Sequence, residues 1–535
     1  MTDTSENSQP SPADAAPGAE APQPSDQPLS QRVNNRSRQP TNKAFRDFIG
    51  SGWGPRPDAL PALSEAAPWA ARRQAALGAR FPGERLVVPA GTLVTRNNDC
   101  DYRFRPHSAF AHLAGTGTDF EPDAVLVLEP LTVPGQQLAD GEPTHEPVLY
   151  FRPRAPRTSE EFYANARYGE LWVGMRPSIE EVEAATGIRC AHIDTLGDAL
   201  AKDAGADGVR LRVVAEADTA VTALVDRVRR GAGLAAGQEA QGLDDALAEA
   251  TSELRLVKDA WEVDQLQKAV DATKAGFDDL IRSIPRAKGH WRGERVLEGA
   301  FGARAREEGN GLGYDTIAAA GDHANTLHWI NNDGPVQPGQ LVLVDAGVEV
   351  DSLYTADVTR TIPVDGRFTA EQRRVYEAVL EAADAAFARA NEPGCRFKDL
   401  HAAAMEVIAA RLEEWGLLPD GVTAADSLGP EGQYHRRWMV HGTSHHLGLD
   451  VHDCAQARRE MSMDAELVPG MVFTIEPGLY FRADDLRVPA ELRGMGVRIE
   501  DDVVMRPDGR AEYLTAAIPR TADDVEAWVN GLIES

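Results

Sequence analysis

Short apolar runs alternate with helical stretches along the first half of the chain. Between about residues 60 and 250, "ERLVVPAG", "DAVLVLEPL" and "PVLYFRP" are each long enough for one strand, and "APWAARRQAALGARF" has the spacing of a helix. Strands that alternate with helices are typical of an α/β domain. We therefore predict an N-terminal α/β domain over residues 45–250.

The second half begins with a long amphipathic helix, "DAWEVDQLQKAVDATKAGFDDLI". Strand-like runs follow, among them "LVLVDAGVEV", "DVTRTIPV", "MVFTIEPGLY" and "GVRIEDDVVM", and helical stretches such as "TAEQRRVYEAVLEAADAAFARA" stand between them. Strands and helices that are segregated in this way favour an α+β domain with a mostly antiparallel sheet. We place this domain at residues 251–525 and treat residues 526–535 as a C-terminal tail.

The composition excludes several classes of protein. Residues 1–44 contain no aromatic side chain and are rich in Pro, Ala, Ser and Gln, which predicts a disordered leader. The formal net charge of −29 argues against binding to nucleic acid. No apolar run is long enough for a transmembrane helix, and the N-terminus does not have the pattern of a secretory signal. The four cysteines are scattered, which fits a reducing compartment, so we expect a cytoplasmic protein without membrane contact.

Four strand-like runs each carry an acidic side chain at the polar edge of an apolar segment. The four are Asp345 in "LVLVDAG", Asp357 in "ADVTRT", Glu476 in "TIEPG" and Glu500 in "GVRIEDD". A strand's period of two puts Asp357, Thr359 and Thr361 on one face. Buried carboxylates that lie close together repel one another unless cations neutralise them. The sequence therefore predicts a metal site that is built on strands.

Histidines are crowded into one stretch, "MVHGTSHHLGLDVHD", which holds four of the 13 in the chain. It is not the HExxH zinc motif, because Gly442 follows the first histidine. Across the domain the candidate ligands come in the order Asp, Asp, His, Glu, Glu. Four carboxylates and one imidazole suit a pair of divalent first-row ions better than the usual Cys and His set of zinc. We predict two divalent ions per subunit, Mn²⁺ in the first place and Co²⁺, Fe²⁺ or Zn²⁺ as alternatives.

The run "VDAG…ADVTRT…HGTSHHLGLDVHD…TIEPGLY…GVRIEDDV" resembles the pita-bread metallopeptidases, and within them the Xaa-Pro aminopeptidases, also called aminopeptidase P. The resemblance covers roughly residues 80 to 520, and "RNNDCDYRFRPHSAFAHLAGT" and "LWVGMRP" are similar to motifs in the first part of that family. It implies a pita-bread catalytic domain, a curved and mostly antiparallel sheet flanked by helices. A smaller α/β domain is expected to precede it.

The resemblance also implies which residues hold the metals. Asp345 would hold one ion, His445 and Glu476 the other, and Asp357 and Glu500 would bridge both. Asp345 and Asp357 are one residue further apart than in the family motif. A one-residue slip within a strand would turn a side chain to the wrong face, so the extra residue is expected in the turn around "EVDSLYT" or in a bulge.

Further roles follow from the same resemblance. Glu476 would also accept a proton from the attacking water. The catalytic histidines would be His328, His441 and His452, while His446 has no matching role and is expected to pack or to lie at the surface. Four residues would contact substrate: Tyr480 and Arg498 on the proline side, and Asp99 and Trp172 from the first domain. Relatives of this kind tend to oligomerise, so a homo-oligomer, dimer or tetramer, is expected.

The implied activity is hydrolysis of the N-terminal Xaa-Pro bond of a peptide by a hydroxide held between the two metals. Peptides with proline in the second position would be the partners. A prolidase acting on Xaa-Pro dipeptides and a non-catalytic pita-bread binding module remain the alternatives. A methionine aminopeptidase and a creatinase-like enzyme are disfavoured, the first by the long N-terminal domain and the second by the metal ligand set.

Overall fold

The computed structural model describes residues 42–98, 100–118, 120–131, 143–205 and 207–534. The predicted leader up to residue 41 and the predicted substrate residue Asp99 lie outside these ranges. Within them, no helix is both long enough and apolar enough to cross a membrane.

The strands are β1 (Glu84–Pro89), β2 (Thr95–Asn97), β3 (Cys100–Asp101), β4 (Val125–Pro130), β5 (His145–Phe151), β6 (Arg189–His192), β7 (Arg210–Val213), β8 (Gly311–Leu312), β9 (Ile317–Ala320), β10 (Leu341–Ala346), β11 (Val348–Glu349), β12 (Val358–Pro363), β13 (Val472–Ile475), β14 (Gly478–Phe481), β15 (Met495–Arg498), β16 (Asp501–Met505) and β17 (Ala511–Tyr513). The helices are α1 (Lys43–Ile49), α2 (Ala67–Arg80), α3 (Ser108–Ala114), α4 (Glu161–Ala164), α5 (Glu170–Val173), α6 (Ile179–Thr186), α7 (Leu196–Ala201), α8 (Thr219–Gly231), α9 (Gln241–Leu254), α10 (Ala260–Arg282), α11 (Ile284–Lys288), α12 (Gly293–Glu308), α13 (Ala370–Ala390), α14 (Phe397–Glu414), α15 (Ala424–Leu428) and α16 (Ala522–Ile533).

The chain forms two compact units. The smaller unit is built from residues up to 58, 93–103 and 154–177, and the larger from 59–92, 104–153 and 178 onward. In the smaller unit, Trp53 packs edge-on against Phe162, with 5.5 Å between the ring centroids. The domain boundary predicted at residue 250 lies inside the larger unit and stays a prediction. The predicted tail is helical as far as Ile533, in α16.

A five-stranded sheet forms the first part of the larger unit, in the order β6-β5-β4-β1-β7. The pairs β1–β4 and β4–β5 are antiparallel, and β1–β7 and β5–β6 are parallel. Both faces are covered: Leu86 and Val88 pack in one apolar cluster with helices α2, α3, α6 and α9, while Val87 packs in another with α7 and α8. Burial on both faces explains the apolar runs in the central strands β1 and β4 and in β5.

The second part of the larger unit contains short antiparallel sheets. Their orders are β12-β10-β9, β13-β16-β17, β14-β15 and β11-β8. One apolar core joins these strands to helices α10, α12, α13, α14 and α16. Helix α10 begins at a capping box, in which Asp259 and Glu262 each bond the other's backbone N–H. This antiparallel sheet with helices is the α+β arrangement that the sequence pattern predicts.

Candidate metal centre and active site

A cavity of about 570 Å³ opens among strands β10, β12 and β15 and the loops next to β13 and β16. All of the residues that line it belong to the larger unit. They include every predicted metal ligand and all three predicted catalytic histidines: Asp345, Asp357, His445, Glu476, Glu500, His328, His441 and His452. A single concave pocket with convergent polar groups is the usual form of an enzyme site.

Strands β10 and β12 bring the two aspartates together. Their antiparallel pairing runs without a break from Leu341–Pro363 to Ala346–Val358, and Asp357 comes directly before β12. The chain turns at residues 350–354, where Leu353 adopts a left-handed conformation with φ of 71°. A turn therefore lies within the stretch where the additional residue is expected.

The two faces of β12 have different partners, as its period of two predicts. On the site face, the Thr359 hydroxyl donates to the Glu500 carboxylate over 2.7 Å. On the other face, Arg360 donates to Asp501 over 2.6 Å. The backbone N–H of Glu500 donates to the Thr359 carbonyl at 3.1 Å, so this strand also sets the position of Glu500.

Backbone bonds next to strand β13 place His445 beside Glu476. The N–H of Thr474 donates to the His445 carbonyl at 2.9 Å, and the N–H of Glu476 donates to the Thr443 carbonyl at 2.8 Å. The histidine segment therefore runs as an additional extended segment along β13. This pairing explains how ligands about 30 residues apart in the sequence become neighbours.

Three of the predicted ligands form a tight group. One ligand atom from each of Asp357, His445 and Glu500 lies within 4.8 Å of the others. The His445 Nε2 atom is 3.3 Å from Asp357 Oδ2 and 3.6 Å from Glu476 Oε1, so Glu476 borders the group. Asp345 reaches it through Tyr314, whose hydroxyl bonds Asp345 at 2.7 Å and also bonds Asp357.

Burial raises the pKa values of three carboxyl groups that line the cavity, those of Asp345, Glu476 and Glu500. Burial, followed by the charges of Asp357 and Glu476, raises the pKa of Glu500 well above its usual range. Burial is also the main reason that the pKa values of Asp345 and Glu476 are raised. Burial opposes protonation of His445, but its hydrogen bond to Asp357 and the charge of Glu476 outweigh burial and raise its pKa to about 9. Bound cations would favour the ionised form of these carboxylates.

A second polar group stands on the same side of the cavity. Arg498 donates to the Tyr480 hydroxyl at 3.1 Å and to Asp345 at 2.5 Å. The Tyr480 hydroxyl lies 2.7 Å from His441 Nε2, and His441 Nδ1 lies 2.6 Å from the Gly442 carbonyl. Because a carbonyl only accepts, Nδ1 carries the proton and Nε2 accepts from Tyr480. Burial and the charge of Arg498 lower the pKa of His441 to about 3, so its ring is neutral at pH 7.

The remaining histidines differ in their surroundings. The ring of His452 stands edge-on to that of His445, with 4.3 Å between the centroids, and burial together with the charge of His445 lowers its pKa. His328 is exposed at the cavity wall. His446 is buried and stacks on Phe397 at 4.4 Å.

Of the two residues predicted from the first domain, the structure describes Trp172, which is not among the residues that line the cavity. Trp172 belongs to the smaller unit, where the residue is 54% exposed and its indole N–H donates to the Tyr163 carbonyl at 2.7 Å. Asp99 lies outside the described residues. The roles of both stay predictions.

Two polar residues that contact the predicted ligands were not among the predicted site residues. Tyr314 joins the two aspartates, but its stretch "GNGLGYD" has the composition of an ordinary loop. Asp502 is fully buried, and its carboxylate accepts from the backbone N–H of Asp357 at 3.2 Å. The alternation that puts Glu500 towards the cavity also puts Asp502 on that face, and this was the available signal.

The chain matches two family models: "Metallopeptidase family M24" over residues 264–507 and "Aminopeptidase P, N-terminal domain" over residues 69–210. It is 47% identical to Xaa-Pro aminopeptidase 2 of Streptomyces coelicolor, over 94% of this chain and 99% of the relative. It is 45% identical to Xaa-Pro aminopeptidase 1 of the same organism, over 96% of this chain and 97% of the relative. Among solved structures, an aminopeptidase of Pseudomonas aeruginosa is 30% identical, with a TM-score of 0.72 over 88% of this chain and 100% of that one.

The fold and the site therefore define a metallopeptidase with an aminopeptidase P type of N-terminal domain. The chain belongs to the Xaa-Pro aminopeptidases of metallopeptidase family M24. The predicted pita-bread fold with a smaller preceding domain is confirmed, and the protein is a metal-dependent aminopeptidase that uses divalent metal.

Proposed function

We propose that the cavity releases the first residue from peptides with proline in the second position, and that two divalent ions, preferentially Mn²⁺, serve the reaction. The observation that carries this proposal is the convergence of Asp357, His445 and Glu500 within 4.8 Å, bordered by Glu476. Oxygen-rich donor sets suit manganese, cobalt and iron. Asp345, beside Arg498 and Tyr314, completes the proposed set.

The chemistry of the donors fits this assignment. Buried carboxylates repel one another when they are ionised, and the pKa values of Glu500 and Asp345 are raised accordingly. Bound cations would offset this repulsion, so the group favours them. As the family resemblance implies, Asp357 and Glu500 would contact both ions, with Asp345 on one and His445 and Glu476 on the other. When bound, divalent ions lower the pKa of water and polarise the carbonyl that is attacked.

Glu476 would take the proton from the attacking water and pass it to the departing prolyl nitrogen. Its carboxylate lines the cavity, with Oε1 3.6 Å from His445 Nε2, and a carboxylate in that position can accept a proton from water and then release it. The prolyl nitrogen is that of a tertiary amide and carries no N–H, so the site needs no acceptor for one. The reaction consumes one water molecule and breaks one peptide bond.

The polar group around Tyr480 would hold the proline side of the bond. Arg498 donates to the Tyr480 hydroxyl, and His441 is a neutral ring beside it. His452 and His328 line the same cavity and would donate to the oxygen that gains negative charge during attack. The free α-amine of the first residue would be held near Asp345.

The test is a cleavage assay on metal-stripped protein refilled with Mn²⁺. It offers a tripeptide Xaa-Pro-Xaa, a dipeptide Xaa-Pro and a Met-Ala-Xaa peptide side by side. We expect cleavage of the tripeptide between the first residue and proline, and a fall in kcat of about 10²- to 10⁴-fold in Glu476→Gln, the range for loss of a general base. Glu512→Gln, the same substitution in an exposed ion pair with Arg506, is the matched control.

Metal content of each variant separates the two roles of Glu476. A Glu476→Gln protein that retains both ions and is inactive supports the proton role, whereas loss of one ion supports the ligand role. Cleavage of the dipeptide alone would move the assignment to prolidase. If no peptide were cleaved by protein with ions bound, the proposed reaction would be wrong.

Removal of metal is expected to lower thermal stability. The clustered carboxylates repel one another without cations, and a ligand that binds only the folded state stabilises it by about 2.7 kcal/mol at 100 times its Kd. Tm of stripped protein should therefore rise as Mn²⁺ is added, and Asp357→Ala should abolish most of the rise. An equal rise in Asp357→Ala would place the ion elsewhere.

A homo-oligomer and a cytoplasmic location are also proposed. The smaller unit exposes adjacent apolar side chains, Leu171, Trp172 and Val173, which supports contact with a second copy. All four cysteines are free thiols, and Cys190, Cys395 and Cys454 are buried, which supports a reducing compartment. Light scattering of wild type and Trp172→Ala, and cell fractionation, test the two points.

A further inference from the structure

Glu294, on helix α12, is a completely buried carboxylate that contacts one loop at several points. Its side chain has no exposed surface. One carboxylate oxygen accepts from the backbone N–H of Ala320 at 2.8 Å and from His323 Nδ1 at 2.7 Å. The other accepts from the Trp329 indole N–H at 3.0 Å and from the backbone N–H of Gly334 at 2.6 Å. A buried carboxylate needs such donors, and here four donors share it.

One donor ends strand β9, and the other three belong to the connection between β9 and β10. Ala320 is the last residue of β9, Gly334 lies in the second half of the connection, and His323 and Trp329 lie between them. The backbone N–H of Glu294 also donates to the Gly334 carbonyl at 3.1 Å. A Cβ atom on Gly334 would lie 2.6 Å from the His323 ring and 2.9 Å from the Glu294 carboxylate, so glycine allows both to approach the backbone here. One side chain therefore joins the end of β9 to three positions along the connection.

This connection carries His328, directly before Trp329. The Trp329 ring stacks on His323 with 3.9 Å between the centroids, and its N–H is bonded to Glu294, so it points away from the cavity. Its neighbours Leu327, His328 and Ile330 line the cavity instead. His328 itself is exposed and lies outside regular secondary structure, and the residue that follows it is anchored to Glu294.

We propose that Glu294 is a positioning residue for His328, acting through the indole of Trp329, and that it keeps the cavity wall in its reactive arrangement. This inference rests on the proposed function for the part that His328 plays in cleavage. An imidazole that must meet a developing charge is effective only within a narrow range of positions. The carboxylate supplies that restriction from outside the cavity, since it does not line the cavity wall.

Glu294→Gln is the sharpest substitution, because it retains the shape and removes two acceptor positions. In either orientation of the amide, its NH₂ group would face a backbone N–H, that of Ala320 or that of Gly334. Trp329→Phe is the milder variant, since it retains the stacking ring and loses only the bond to Glu294. It keeps the inference testable if Glu294→Gln folds poorly.

The experiment is a double-mutant cycle on kcat/KM for Xaa-Pro-Xaa cleavage, with His328→Ala as the second substitution. We expect Glu294→Gln to lower kcat/KM by about 100-fold in wild type, the effect of a displacement near 1 Å. In the His328→Ala background it should change kcat/KM by no more than about twofold. Trp329→Phe should show a smaller loss with the same dependence on His328.

Glu262→Gln is the matched control. Glu262 is also a buried carboxylate, bonded to the Tyr354 hydroxyl at 2.7 Å, but it has no contact with the β9–β10 connection among the described residues. Its effect should be the same in both backgrounds. The inference would be wrong if Glu294→Gln had the same effect on kcat/KM in both backgrounds. It would also be wrong if His328→Ala by itself left kcat/KM unaltered.

A crystal structure of Glu294→Gln decides the positioning role without reference to activity. We expect the His328 ring to move by about 1 Å or more, or to occupy several positions instead of one. Asp345 and Asp357 should stay in place. A His328 ring that keeps its wild-type position would overturn the inference. Absence of Xaa-Pro cleavage by wild type would instead contradict the proposed function, so the two failures are distinct.

Discussion

At the scale of single residues, each hydrogen bond beside the cavity has a defined donor and a defined acceptor. Tyr480 is an example: its hydroxyl accepts from Arg498 and donates to the neutral ring of His441. Burial is the main reason that the pKa of Tyr480 is raised to about 12, so the hydroxyl keeps its proton throughout the neutral range. It therefore orients two partners at once.

Tyr480→Phe should lower kcat/KM by roughly 30-fold, because a hydrogen bond to a charged group contributes about 2 kcal/mol. Steady-state kinetics on an Xaa-Pro-Xaa peptide would measure the loss. Tyr513→Phe is the control, since the buried Tyr513 hydroxyl has no partner among the described residues and its ring stacks on Phe387. A loss of similar size in both variants would contradict a specific role for Tyr480.

At the scale of elements, the hairpin of β10 and β12 sets the spacing of Asp345 and Asp357. Gly347 follows β10, and its carbonyl accepts from the backbone N–H of Gly313 at 2.9 Å. A Cβ atom on Gly347 would lie 1.8 Å from the Ala356 carbonyl oxygen and 3.0 Å from the Tyr314 ring. Only glycine lets the two strands approach closely at this point.

Gly347→Ala should therefore destabilise the protein by at least about 1–3 kcal/mol, the usual cost of overpacking. It should also weaken Mn²⁺ binding, because the strands that carry two ligands must separate. Gly299→Ala, at a position in α12 where a Cβ meets nothing within 4 Å, should instead stabilise by about 1 kcal/mol. Urea unfolding and calorimetric titration would measure both, and an unaltered Mn²⁺ affinity in Gly347→Ala would count against this explanation.

At the scale of the whole chain, buried ion pairs join segments that are far apart in sequence. Asp453, next to His452, accepts from Arg255 at 2.9 Å and from Lys258 at 3.1 Å, and all three are buried. Burial opposes ionisation of Asp453, but the charges of Lys258 and Arg255 outweigh it and hold its pKa well below the usual range. The start of the catalytic half is thereby tied to the histidine-rich loop.

Asp453→Asn should cost about 3–5 kcal/mol at pH 7, because it leaves two buried cations without their partner. In wild type, the folded pKa of Asp453 lies below the unfolded value of about 4, so this stabilisation is complete above that pH and is lost as the pH falls. Urea unfolding at about pH 6 and at about pH 3, on either side of that unfolded value, should show a smaller pH dependence in Asp453→Asn. Asp464→Asn, in an exposed ion pair with Lys398, is the control and should change little. An equal pH dependence in wild type and Asp453→Asn would contradict this assignment.

The sequence by itself determined the features that depend on local pattern. Period-two alternation put Asp357 and Thr359 on one face of a strand, and the order of acidic residues and histidine pointed to a divalent metal site. These patterns are local, because side-chain direction follows from position within a strand. The same reasoning separated the two kinds of domain, since helical and strand periods are distinct along the chain.

The tertiary structure alone decided which distant groups meet. Nothing in the local pattern links Glu294 to Trp329, Arg498 to Asp345, or Tyr314 to the two aspartates, because those contacts depend on how separate elements pack. The small unit made from three separated segments is likewise invisible to a scan along the chain. A buried polar group must find its partner wherever packing brings one, and sequence periodicity carries no information about that partner.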